Sequence, residues 1–76
     1  MNENDLNKLR QLELIKEIIL KKILTREARE RLSRVKLVKP ELAAQVELYL
    51  VQLYQAGRLK GTISDQQLKS ILSSLA

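Results

Sequence analysis

The sequence predicts an all-α fold, a compact three-helix bundle core preceded by a longer N-terminal amphipathic helix. Apolar residues recur at helical spacing through most of the chain. They are mainly Leu, Ile and Val, with two Tyr and no Phe or Trp. The gaps between apolar stripes coincide with residues that start or stop helices. At 76 residues there is room for one domain overall, read as an N-terminal helix over 1–24 and a helical-bundle core over 25–76. Such a chain buries only about 60% of the surface its unfolded form exposes. With no Cys and no His, disulfide staples and thiolate metal sites are ruled out. Stability must come from helices packing their aliphatic faces.

The first helix is predicted from about Asn4 to Leu24, frayed before Leu6. Its stripe is Leu9, Leu12, Ile15, Ile19 and Ile23, broadened by Ile18 and Leu20. Thr25 suits an N-cap, because its hydroxyl accepts a hydrogen bond from a backbone N–H one turn on. The helix it opens, near 26–35, points Ala28, Leu32 and Val35 inward. A separation at Thr25 and a kink there are both compatible with the pattern. Leu37, Val38 and Lys39 are predicted to be extended, since Pro40 disfavours the α conformation before it and suits the first position of a new helix.

That third helix, 40–56, carries Leu42, Val46, Tyr49, Leu50 and Leu53 on one face, with Ala43, Leu48 and Val51 adding a second. A helix apolar on two sides is the central one, and Gly57 supplies a left-handed stop. Arg58 to Ile63 forms a connector from which Leu59 and Ile63 tuck inward. Ser64 and Gln67 make a capping box for the last helix, near 65–75, with Leu68, Ile71, Leu72 and Leu75 as its stripe.

Function classes narrow quickly. The longest apolar runs, such as Leu48–Val51, fall far short of the roughly 20 residues a bilayer requires. The first residues show no signal-peptide pattern, so a cytoplasmic protein is expected. Catalysis lacks its usual side chains, and no cofactor is implied. Glu27 and Glu30 sit among Arg26, Arg29, Arg31 and Arg34, and read as helix ion pairs. The Gly57–Gly61 segment lacks the context of a phosphate loop.

Charge is the remaining signal. Residues 1–39 hold eleven basic side chains against six acidic ones, whereas residues 40–76 balance at three each, so the whole net charge of +5 lies in the first half. A one-sided basic field attracts nucleic acid or an acidic protein face. The densest stretch supplies the candidate site: Lys21, Lys22, Arg26, Arg29, Arg34, Lys36 and Lys39. On a continuous helix, Lys22, Arg26 and Arg29 fall in one strip suited to backbone phosphates. The same charges also suit a heavily charged surface that keeps the protein soluble. Few aromatics argue against base stacking on single strands. Base readout is disfavoured too, because the third helix is too apolar and opens with Glu41 for a recognition helix. Lys39 is a poor N-cap, set there either by Pro40 alone or to meet an anion.

Ala28-Arg29-Glu30-Arg31-Leu32-Ser33 followed by Leu37-Val38-Lys39-Pro40-Glu41 resembles the programmed cell death protein 5 family. The likeness continues through Val46-Glu47, Leu50, Gly57, Leu59, Ser64, Gln66, Leu68 and Ile71-Leu72. It implies a helical-bundle core with a helical N-terminal extension. It also implies DNA binding for an archaeal member, while eukaryotic relatives are linked to apoptosis and to protein partners including a chaperonin and an acetyltransferase. The charged N-terminal helix is shorter than is usual in the family and the eukaryotic C-terminal tail is absent, which points to a compact archaeal member or one trimmed at its N-terminus.

The sequence therefore predicts a non-enzymatic, monomeric protein that binds double-stranded DNA with sequence tolerance through a basic helical face. The alternatives are a protein-interaction module docking an acidic surface such as a chaperone's, and an RNA- or ribosome-associated factor.

Overall fold

Helix starts and stops lie where side-chain chemistry puts them. A computed structural model describes residues 2–76. It contains α1 (Glu3–Ile23), α2 (Arg26–Val38), α3 (Pro40–Gln55) and α4 (Asp65–Leu75). Asn2 caps α1 by accepting from the Asp5 N–H at 2.9 Å, so the helix begins ahead of the predicted fraying point. Thr25 Oγ1 accepts from the Ala28 N–H at 3.2 Å and opens α2. Leu24 and Thr25 are both extended, so α1 and α2 are separate helices. Gly57 has φ of 69° and closes α3 in a Schellman arrangement. There the Arg58 N–H reaches the Leu53 carbonyl and the Gly57 N–H reaches that of Tyr54, each at 3.0 Å. Ser64 and Gln67 form the predicted capping box.

The predicted extended segment before Pro40 is corrected to a single residue. Leu37 and Val38 belong to α2, and only Lys39 leaves the helical region. The steric demand of proline falls on the residue directly before it. The Lys39 N–H still donates to the Val35 carbonyl at 2.6 Å, which holds the last turn of α2 closed.

No β-strand is present among the described residues; the nearest approach is one isolated parallel bridge between Leu24 and Ile63. There the Thr25 N–H donates to the Ile63 carbonyl at 3.0 Å, and the Ile63 N–H donates to that of Ile23 at 2.6 Å. These bonds satisfy backbone groups at the α1–α2 break and draw the α3–α4 connector inward. Ile63 is buried and Leu59 partly so, as the pattern predicts.

One core joins all four helices: Ile19, Leu20 and Ile23 from α1, Ala28 and Leu32 from α2, Ala43, Val46 and Leu50 from α3, and Leu68 and Leu72 from α4. Helices α2 and α3 each touch the other three, and α3, which buries the larger set of side chains, is the central one. Its two-sided pattern overstates its burial, because Leu48 and Tyr49 are exposed. Along α1 only the last turns are buried; Leu9, Leu12 and Ile15 stay exposed. Lys16 meets Glu47 while Leu12 lies by Val51 and Gln55, so α1 and α3 run antiparallel. With 21 residues against 16, α1 outruns its partner.

Helices α2 and α4 are also joined by a two-pronged ion pair. Arg31 Nε donates to Asp65 Oδ1 at 2.6 Å and Nη2 to Oδ2 at 2.9 Å. The Arg31 hydrogen bond, opposed by desolvation and reinforced by the charges of Arg31, Arg34 and Lys69, holds the Asp65 carboxyl below its ordinary range. A carboxyl whose pKa is depressed by folding adds stability above its unfolded pKa of about 3.9 and loses it as pH falls through the folded value. Asp65→Asn should therefore lower the melting temperature near neutrality, and the difference from the parent chain should shrink as pH falls below about 3.9. Melts at several pH values check this; an undiminished gap in acid would contradict it.

Candidate functional site

The break at Leu24–Thr25 divides the predicted basic strip. Lys22 lies on α1 and Arg26 and Arg29 on α2, with two extended residues between the helices. The single strip expected on a continuous helix is therefore absent. The reason is the Thr25 cap together with the pairing of this linker to Ile63.

Arg29 also has work inside the fold. Its Nη1 donates to the Lys21 carbonyl at 3.1 Å and to the Leu24 carbonyl at 3.2 Å. Carbonyls at a helix C-terminus lack intrahelical partners and carry partial negative charge, so a guanidinium there is favourable on both counts. Arg29 thus pins the end of α1 against α2 and is half-buried in doing so.

The pinning brings Lys21 and Lys36 to one cleft. It lies between α1 and α2, encloses about 240 Å³, and is lined by Lys21, Arg29, Ser33 and Lys36 over Leu20 and Leu32. Glu17 and Glu47 line the same cleft. Glu47 is the buried charged residue of the core, with Lys16 Nζ 3.6 Å from its Oε1. Lys16 also reaches Glu13 at 3.1 Å. Burial alone would lower the Lys16 pKa, but its hydrogen bond to Glu13 and the charges of Glu47 and Glu13 outweigh that and leave it raised.

A second cleft opens on the opposite flank of α2, against α3 and α4. It encloses about 410 Å³, and Arg34, Lys39 and Lys69 surround an apolar floor that includes Val35, Val38 and Leu42. No acidic side chain lines it. Arg31 reaches its edge with its charge already matched by Asp65. The division follows from helix geometry: at about 100° per residue, positions 29, 33 and 36 share one flank and 31, 34 and 38 the other. Arg26, Glu30 and Leu37 form the outward crest between them. Arg26 is spent there on Glu30, at 3.2 Å. Lys22 borders neither cleft. Among the described residues, Lys21, Lys36, Arg34, Lys39 and Lys69 form no ion pair.

Sequence reasoning therefore reaches Lys21, Arg29 and Lys36 on one side and Arg34 and Lys39 on the other, without their grouping. It misses Lys69, which lies in the charge-balanced half, and the buried Glu47. The Asp65–Lys69 spacing of four, beside the Leu68–Leu72 stripe, places both on one edge of α4, but nothing local ties that edge to α2. Among the described residues no group of acidic side chains is arranged to hold a metal ion, and no helix is long and apolar enough to cross a membrane.

Residues 2–76 match a family model described as a double-stranded DNA-binding domain. The chain is 60% identical over 73 residues to a DNA-binding protein from Thermococcus kodakarensis, an alignment covering 96% of this chain and 65% of that protein. A DNA-binding protein from Thermococcus sibiricus is 56% identical over the same length and coverage. One from Pyrococcus horikoshii is 66% identical over 59 residues, covering 78% of this chain and 51% of that protein. The chain thus spans between half and two thirds of the length of these relatives.

Proposed function

Because this chain belongs to the double-stranded DNA-binding domain family, which is the programmed cell death protein 5 family with its archaeal DNA-binding members, we propose that it binds duplex DNA through its basic helical faces, without catalysis and with little regard to sequence. The observation that carries the reading is the convergence of the unpaired Lys21 and Lys36 on one cleft beside Arg29. Two ammonium groups held on a common flank meet successive phosphates, and each such pairing releases condensed counterions. Arg29 acts mainly by positioning the two lysines. Lys22 and Arg26 lie further out, where they strengthen the field more than they touch the backbone. Arg34 and Lys39 add charge from the far side of α2.

Sequence tolerance follows from the chemistry of the interaction. Phosphate contacts fix register and orientation but carry no base information. The crest of α2 offers an arginine already bonded to Glu30 and an apolar Leu37, which is a poor set for reading base edges. In this reading the protein acts as a cytoplasmic monomer. Anisotropy titrations with short duplexes of unrelated sequence, between about 50 and 200 mM salt, test it.

A second reading, a protein-interaction module for an acidic surface such as a chaperone's, uses the same cations. It is favoured by the apolar groove between α1 and α3, where Leu12, Ile15 and Leu48 are exposed beside Val51. Salt-sensitive capture of an acidic protein by a chain that ignores duplex DNA would select it.

A further inference from the structure

The two basic clefts occupy opposite flanks of one helix, and duplex DNA presents two phosphate backbones on opposite sides of one groove. We propose that α2 lies along the major groove, with phosphates of one strand held by Lys21 and Lys36 and those of the other by Arg34, Lys39 and Lys69. The inference rests on the duplex-binding reading and extends it to a second phosphate-binding flank, to which Lys69 is newly assigned.

Dimensions support the arrangement. A helix with its side chains is about 10–12 Å across, and the major groove is about 12 Å wide. The two cations that α2 itself carries, Lys36 and Arg34, thus face the two walls of the groove, while Lys21 on α1 and Lys39 and Lys69 on the other side stand further out, toward the bordering backbones. The charges are suitable as well. Arg34, Lys39 and Lys69 form no ion pair among the described residues, and no acidic side chain lines their cleft. The nearby Asp65, whose charge Arg34 and Lys69 both feel, is matched by Arg31.

The crest of α2 adds an independent observation. Leu37 is 85% exposed, more than any other large apolar side chain described, and does not serve the core. In the groove, Leu37 would lie against deoxyribose, an apolar surface common to every sequence. The Arg26–Glu30 pair leaves the same crest without net charge. Lys39 stands at the start of α3, where an ammonium cannot accept from the free backbone N–H groups, and it forms no ion pair among the described residues.

The test compares duplex and single-stranded DNA of one length across a salt series. The parent chain is compared with two charge-removing variants, Lys21→Gln with Lys36→Gln, and Arg34→Gln with Lys39→Gln and Lys69→Gln. On duplex, the second variant should lose about 0.9 of salt slope for each of its three replaced cations, and roughly a hundredfold or more in affinity at 0.1 M salt. A single strand meets one flank at a time, so either variant should leave its slope close to the parent's. The charge-keeping replacement of Arg34 by Lys with Lys39 and Lys69 by Arg should restore duplex binding, which separates a missing charge from a damaged fold. An unchanged duplex slope in the Arg34/Lys39/Lys69 variant, with the Lys21/Lys36 variant still impaired, would overturn the two-strand grip and leave single-cleft binding standing. Equal slope reductions on duplex and single strand would overturn it too, since both flanks would then follow one strand. Unchanged duplex slopes in both variants would instead remove the duplex-binding reading itself.

Discussion

Leu50→Ala should cost about 2–5 kcal/mol of stability, the usual range for truncating a fully buried leucine. Leu50 has no exposed surface and lies on α3, which touches every other helix. Removing its side chain withdraws apolar packing and leaves a cavity that the neighbouring helices cannot fully close. In a domain of this size each kcal/mol shifts the melting temperature by about 4–8 °C, so a fall of at least about 8 °C is expected. Leu48→Ala on the same helix is the control: Leu48 is exposed, and surface changes are usually within about 0.5 kcal/mol. A Leu50→Ala loss under about 1 kcal/mol, or equal losses at the two positions, would contradict the central place of α3.

Replacing Lys21 and Lys36 together by Gln should weaken duplex binding by roughly sixty-fold at 0.1 M salt. Every phosphate left without its cation takes about 0.9 from the salt slope, which is close to a factor of eight at that concentration when affinities are referred to 1 M. The fold should survive, because both side chains are exposed and Gln is a fair helix former. Arg29→Gln behaves differently. It strips two carbonyls at the end of α1 of their guanidinium partner, and hydrogen bonds from a charged group are worth about 1.5–3 kcal/mol. Arg29 variants should therefore lose stability as well as affinity, so a joint Lys22, Arg26 and Arg29 replacement does not isolate binding. Equal affinities for the parent and the Lys21/Lys36 variant, both folded, would remove the first cleft from the interface.

The parts of the fold that can be read from the sequence are those decided by a few neighbouring residues. Thr25, Ser64 with Gln67, and Gly57 mark helix ends through local hydrogen bonding and backbone freedom, and the aliphatic stripes locate the core. The end of α2 is misjudged when the influence of Pro40 is extended over three residues, because sterics restrict only one. Leu48 and Tyr49 look inward by composition, yet α3 has too few neighbours to cover them. The site is legible as a surplus of charge but not as a shape. Whether Arg29 reaches the carbonyls of a preceding helix, or Lys69 meets Arg34, depends on how distant segments pack, and no spacing along the chain encodes that.

The measurement that bears most directly on the account is the affinity of the chain for two unrelated duplexes, one A·T-rich and one G·C-rich, across a salt series. Phosphate binding through Lys21, Lys36 and their neighbours predicts two coincident straight lines on a log–log plot. Their slope should be about −0.9 for each phosphate neutralised. Affinity indifferent to salt, or confined to one of the two sequences, would contradict it.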